Sequence, residues 1–128
     1  MTVRIVRLGT PRLAQEGVRI GTVRRPPRGV RREDRAAQNW YDVWYPELAP
    51  TVATIALARD TTDARAWRAF AKAYRREMAA PAASRSLDLL AALSHRADFS
   101  VGCYCADEAH CHRSLLRALL AARGARIA

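Results

Sequence analysis

No stretch of this 128-residue chain approaches the roughly 20 apolar residues that a membrane-spanning helix needs. Met1-Thr-Val-Arg4 does not lead into the uninterrupted apolar run of a secretory leader. Both absences point to a cytoplasmic protein. Cysteine is scarce and odd in number, with three residues packed between positions 103 and 111 instead of being spread along the chain as staples. That distribution suits a reducing compartment and favours reactive thiols or metal ligation over disulfides. Internal repeats, Gly/Ser linkers and low-complexity blocks are missing apart from a bias toward Ala and Arg. Residues 1–128 are therefore expected to form one domain, long enough to bury a substantial core.

Lysine is nearly absent as well. Lys72 stands alone among 22 basic residues, so the net charge of +10 is almost entirely arginine. Such a balance ordinarily suggests phosphate-rich partners. Here, with Ala also abundant, it equally fits the codon bias of a GC-rich genome and a solvated basic surface.

Val3–Leu8 and Val18–Val23 combine β-branched residues with partial alternation and read as strands separated by Gly9, Pro11 and Gly17. Arg24-Arg25-Pro26-Pro27-Arg28-Gly29 opens a basic loop reaching about Arg35, because paired prolines bar a central strand. Residues 40–46, Trp-Tyr-Asp-Val-Trp-Tyr-Pro, fit either a short strand or a rigid loop. Pro50-Thr51 starts a short helix through about Arg59. Between Thr62 and Met78, Trp67, Phe70, Ala71, Tyr74 and Met78 recur on one helical face. Pro81 stops that helix, and Ser84 or Ser86 caps the next, whose stripe is Leu87, Leu90, Ala91 and Leu93. Phe99–Tyr104 reads as a buried strand. Ser114–Arg123 reads as a helix with Leu115, Leu116, Leu119, Leu120 and Ala122 inward and Gly124 at its C-terminal cap. The order of elements predicts an α/β fold.

Residues 103–113, Cys-Tyr-Cys-Ala-Asp-Glu-Ala-His-Cys-His-Arg, hold every cysteine and two of the three histidines. They fall where a strand hands over to a helix, the place where open α/β sheets bind ligands. Three chemistries fit. In the first, Cys105 or Cys111 is a thiolate nucleophile favoured by a helix N-terminus and nearby arginine, with His112 handling protons and Arg113 clamping an anion. In the second, helix N–H groups with His112 and Arg113 bind a small anionic ligand without covalent chemistry. In the third, Cys105, Cys111 and either His110 or His112 bind zinc. Strand geometry makes metal awkward for Cys103 and Cys105, whose Cα atoms would lie about 6.6 Å apart, and no metal ligand set is assigned. Cys111 and His112 also stand four residues before Leu115 and Leu116, as plain core residues would. Asp107 and Glu108 suit a helix cap or the orientation of a histidine. His95 carries no assigned role.

Seven arginines lie from Arg19 to Arg35, with Glu33 and Asp34 as the acids among them, and Trp40, Tyr41, Trp44 and Tyr45 follow. Charge joined to stacking rings is a nucleic-acid signature, whereas clustered aromatics in a small protein also build cores. Glu47 reads as a surface carboxylate, and Asp42 is open between that role and a place near the cysteines.

With these residues on the page, the chain resembles the bacterial and archaeal proteins grouped as domain of unknown function 488. The matching pieces are Arg25-Pro26-Pro27-Arg28-Gly29, Tyr41-Asp42-Val43-Trp44-Tyr45-Pro46-Glu47-Leu48-Ala49-Pro50, Trp67-x-x-Phe70-x-x-x-Tyr74, and Cys103-x-Cys105 with Cys111-His112-Arg113-Ser114. The resemblance implies an α/β fold with a parallel sheet and a site formed by the Cys-His-Arg element near the strand ends. It implies no particular reaction or cofactor, and His110 is outside its pattern.

The expectation is thus a small α/β protein with a mainly parallel sheet flanked by helices. Its candidate enzymatic or anion-binding pocket would use Cys103, Cys105, Cys111, His112 and Arg113, with Arg25 and Arg28 adding to anion binding. The alternatives are a nucleic-acid-binding module built on Arg24, Arg25, Arg28, Arg31 and Arg32 of loop 24–35, and a zinc-stabilised interaction domain.

Overall fold

Four short β-rich segments pair side by side, and every pairing is parallel. The structure is a computed structural model that describes residues 1–58 and 63–128. The strands are β1 (Val3–Arg7), β2 (Val18–Gly21), β3 (Val43–Trp44) and β4 (Phe99–Cys103), in the spatial order β1-β4-β2-β3. Helices α1 (Val52–Leu57), α2 (Ala64–Met78) and α3 (Pro81–Leu93) precede β4, and α4 (His112–Ala122) follows it. This is the expected α/β architecture with a parallel sheet. Among the described residues no helix is long and apolar enough to cross a membrane.

β4 lies between β1 and β2, with Val101 opposite Ile5 on one side and Ile20 on the other, and all five of its residues are buried. A strand covered on both faces reads as a continuous apolar run, which is how Phe99-Ser-Val-Gly-Cys103 looks in the sequence. Phe99 and Val101 join Phe70, Tyr74 and Met78 of α2, Leu87 and Leu90 of α3, and Leu116 and Leu120 of α4 in the main core. A second cluster of Leu8, Val23, Tyr41, Cys103 and Cys111 lies at the C-terminal end of the sheet. Gly21 makes that arrangement possible, since a Cβ there would stand 2.3 Å from the Tyr41 ring.

Local chemistry explains the element boundaries. Thr51 caps α1 by accepting from the Thr54 amide, and Asp63 caps α2 by accepting from the Arg65 amide. The expected ends of these helices at Arg59 and Thr62 lie outside the described residues. Pro81 opens α3 instead of only ending α2, because proline at a first helical position has no N–H to leave unpaired. Ser84 and Ser86 are therefore inside α3, where Ser86 Oγ bonds the Ala82 carbonyl and the Tyr45 hydroxyl. β2 stops at Gly21, two residues short of Val23. The segment from 40 to 46 is partly strand, with Val43–Trp44 as a two-residue edge. α4 begins at His112, ahead of the expected Ser114, because extended Cys111 occupies the N-cap position. Ala122 of α4 is exposed rather than inward.

A buried ion pair braces the turn before β2. Arg19 and Glu16 are 0% and 1% exposed, and the guanidinium grips the carboxylate with both Nε (2.6 Å) and Nη2 (2.9 Å). Arg19 Nη1 donates to the carbonyls of Thr10 and Asn39, while Glu16 accepts from Ser100 Oγ of β4 at 2.7 Å. Burial opposes ionisation of Glu16, but hydrogen bonds from Arg19, Ser100 and the Leu13 amide outweigh it and bring its pKa to about 2.

Candidate functional site

The end of β4 delivers Cys103, and the chain turns away immediately after it. Asp107 accepts from the Ala109 amide and from His110 Nδ1, shaping the single turn Glu108–His110 that leads back into Cys111 at the head of α4. The strand therefore does not continue to Cys105, and the expectation that Cys103 and Cys105 share a strand face gives way to a different neighbour. Cys103 Sγ lies 2.6 Å from Cys111 Sγ, both residues being buried. Cys105 is exposed.

The three thiols are electrically unequal. Cys105 lies near enough to Cys103 and Cys111 for both to govern its charge. The Cys103 and Cys111 thiols, helped by His112 and Arg113 and opposed by burial, hold it far below the ordinary thiol range. Cys103 moves upward because Cys105 and Cys111 hydrogen-bond its neutral form and because it is buried. At Cys111 the bond from Cys103 favours ionisation, but Cys105 and burial outweigh it and raise the pKa. Cys105 is also the one thiol of the three that is open to solvent.

His112 is buried against the Tyr74 ring, with centroids 5.5 Å apart. Its Nε2–H donates to the Thr22 carbonyl at 2.8 Å, which leaves Nδ1 as an acceptor 3.8 Å from Cys111 Sγ. Burial lowers its pKa to about 4, against the opposing pull of the Thr22 carbonyl and Cys105, so the ring is neutral near pH 7. Arg113 is buried and donates from Nη2 to the Cys105 carbonyl at 2.7 Å, pinning the backbone of the exposed cysteine. Its Nε has no partner among the described residues.

Cys103, Cys111 and His112 offer ligand atoms that all lie within 4.8 Å of one another, a set that could hold a metal ion. Two thiolates each about 2.3 Å from a tetrahedral ion stand about 3.8 Å apart, so zinc would hold Cys103 and Cys111 farther apart than they lie here, with His112 as a third donor and one position left open. Cys111 and Arg117 also have the Cys-x5-Arg spacing of cysteine phosphatases. All five intervening residues are helical here, and Arg117 is paired with Glu108 at 2.7 Å, so no phosphate-wrapping loop exists.

Above the thiols opens a cleft of about 1120 Å³. Among the described residues Arg7, Arg24, Arg25 and Arg28 line it and no carboxylate does, while Trp40, Tyr104, Phe70, Val52 and Ile55 supply apolar wall. Tyr104 donates its hydroxyl to the Arg25 carbonyl at 2.9 Å, tying the basic loop over the site. The arginines of that loop differ in role. Arg24 is consumed inside the protein by the carbonyls of Pro46, Ala49 and Pro50, and Arg31 is paired with Asp34. Arg25 and Arg28 are exposed at the cleft, and Arg32 is exposed beyond its lining.

The aromatic run is split in the same way. Tyr41 is core, Tyr45 bonds Ser86, Trp44 donates to the Val23 carbonyl, and Trp40 faces the cleft. No common stacking platform results. Asp42 is held by Arg12 in a two-pronged pair (2.7 and 3.0 Å) and by the Arg19 amide, away from the cysteines. Glu108 serves Arg117 rather than a histidine, and exposed His95 meets the Gly124 carbonyl. The α1 wall, Val52 and Ile55, was missed by sequence reasoning; its signal was apolar residues on a short helix with no partner stripe.

Fold and site together define a class: a small α/β domain with an all-parallel sheet and a Cys/His cluster where the central strand passes to a helix. A family model described as "Active DUF488-N3 subclade" matches residues 3–124. The chain belongs to the DUF488 family. No curated protein and no solved structure matches it.

Proposed function

We propose that the cleft is an enzyme active site in which the Cys105 thiolate attacks an electrophilic centre of a small anionic substrate. The observation that carries this reading is the placing of the one exposed thiol of the cluster in a cleft whose described lining holds four arginines and no carboxylate. Arg25 and Arg28 receive the anionic group, and Arg113 fixes the Cys105 backbone while keeping positive charge close to the sulfur. Neutral His112 accepts a hydrogen bond at Nδ1 from the buried Cys111 thiol and so orients the neighbour of the thiolate. The family description's word "active" agrees with a chain that retains its Cys-His-Arg element.

Paired alkylating probes test this. Iodoacetamide should label Cys105 selectively at pH 6, where an ordinary thiol is almost wholly protonated. Anionic iodoacetate should gain on neutral iodoacetamide relative to their ratio on a free thiol, and added salt or Arg25→Ala with Arg28→Ala should erase the gain. Labelling of Cys105 no faster than a free thiol, or discrimination against iodoacetate, would remove the reading.

A further inference from the structure

The exposed thiolate sits beside two buried thiols that already touch, an arrangement with a consequence for oxidants as well as substrates. A nucleophile of this kind is the first point of attack for a hydroperoxide, because susceptibility follows thiolate character and exposure. Cys105 has both. Cys103 and Cys111 are each 2% exposed, so peroxide meets them slowly even though their sulfurs are in contact.

We propose that the cluster is a three-cysteine relay that takes oxidation by a hydroperoxide at Cys105 and stores it as a buried Cys103–Cys111 disulfide, returning Cys105 to its reduced form. In the first step the Cys105 thiolate attacks a peroxide oxygen. An S–O bond forms, the O–O bond breaks, and the departing hydroxide takes a proton from solvent, leaving a sulfenic acid. In the second, Cys111, hydrogen-bonded to His112 Nδ1 at 3.8 Å, attacks the Cys105 sulfur while its proton passes to the departing oxygen. The S–O bond breaks and hydroxide leaves with that proton as water. In the third, Cys103 attacks the Cys111 sulfur, the mixed disulfide breaks, and Cys105 departs as thiolate while the Cys103 proton passes to solvent. Two thiols and one hydrogen peroxide have become one disulfide and two waters.

The geometry orders these steps. Cys111 heads α4 with its Sγ in contact with both Cys103 and Nδ1 of His112, so we assign it the first attack and Cys103 the resolving one. The net effect protects the nucleophile: the stage beyond sulfenic acid, which is irreversible for most proteins, is outrun by transfer to a sealed pair.

The relay rests on Cys105 being the reactive thiol, and the test separates the two ideas. The reduced full-length chain is treated with stoichiometric hydrogen peroxide, capped with N-ethylmaleimide and mapped after digestion with trypsin and chymotrypsin, the latter cutting after Tyr104 between the first two cysteines. The expected product is a Cys103–Cys111 disulfide with Cys105 capped. Cys105→Ser should slow that disulfide by about tenfold or more, because the remaining thiols are buried. Cys103→Ser should halt the sequence at a Cys105–Cys111 disulfide, and the double variant Cys103→Ser with Cys111→Ser should leave a dimedone-reactive Cys105. Equal disulfide rates in wild type and Cys105→Ser, or Cys105 sulfinic acid beside reduced Cys103 and Cys111, would overturn the relay. If the buried variants fail to fold, wild type and the exposed Cys105→Ser decide the matter alone. Selective iodoacetamide labelling of the reduced protein without peroxide reports on the nucleophile separately: labelling without relay refutes only the relay.

Discussion

Glu16→Gln offers a sharp test of how the site's walls are held. The substitution keeps the shape of the side chain and the bond from Ser100, but it leaves Arg19 as a fully buried cation without a counter-charge. Breaking a buried pair in this way costs about 3 to 5 kcal/mol, a large share of the roughly 5 to 15 kcal/mol that holds an ordinary domain together. With a urea slope of about 1.5 kcal/mol per molar, the midpoint should fall by roughly 2 to 3 M. The pH dependence has a definite sign. Because the folded pKa of about 2 lies below the ordinary 4.5, the contribution of Glu16 is present above pH 4.5 and lost as pH falls through about 2. Urea titrations followed by tryptophan fluorescence, repeated at several pH values, should show wild type losing its advantage over Glu16→Gln within that window. Replacing both residues by Met should recover part of the loss, but not all, because the Thr10 carbonyl and Ser100 hydroxyl lose partners. A midpoint shift under about 0.5 M, or parallel acid profiles for the two proteins, would refute the claim that this pair braces the fold.

Other outcomes follow from the same geometry. Wild-type stability should decline between pH 6.5 and 4 with a slope approaching about 1.4 kcal/mol per pH unit, because unfolded His112 binds a proton that the buried ring refuses until about pH 4; His112→Gln should flatten that interval in denaturant titrations. Arg24→Ala should lower stability by about 2 to 4 kcal/mol by releasing three carbonyls, whereas exposed Arg25→Ala should change it by less than about 0.5 kcal/mol while slowing iodoacetate at Cys105. Gly102→Ala would place a Cβ 2.6 Å from the Val6 carbonyl oxygen, and thermal melts should register a loss of about 1 to 3 kcal/mol from overpacking next to Cys103.

Much of the fold was legible because its signals are local. The periodic faces of α2 and α4 and the apolar run of β4 announce themselves within a dozen residues, and the crowding of cysteines marked the strand-to-helix junction where Cys103, Cys111 and His112 meet. What escaped depends on contacts distant in sequence or on a choice between two local rules. Pro81 satisfies both a stop and a start, and only the packing of Ala83 and Leu87 decides for the start. The Arg19 guanidinium looks like surface charge until Ser100, 84 residues from Glu16, is brought beneath its partner. Arg24 and Arg28 are indistinguishable in composition, yet the three carbonyls around Pro46–Pro50 claim the first and leave the second at the cleft. The Cys103–Cys111 contact was hidden because strand spacing was extended past the point where the backbone turns.

The position of β4 carries one more consequence, for a chain still being made. Only β4 touches both β1 and β2, and β1 and β2 have no pairing with each other. A nascent polypeptide that has emerged only as far as α3 holds β1 unpaired and β2 with only the two-residue β3 beside it, both waiting for a partner not yet synthesised. When residues 99–103 arrive they complete the ladder and carry the first thiol into place in the same event, so ribosome-bound fragments ending before residue 99 should remain protease-sensitive throughout β1 and β2.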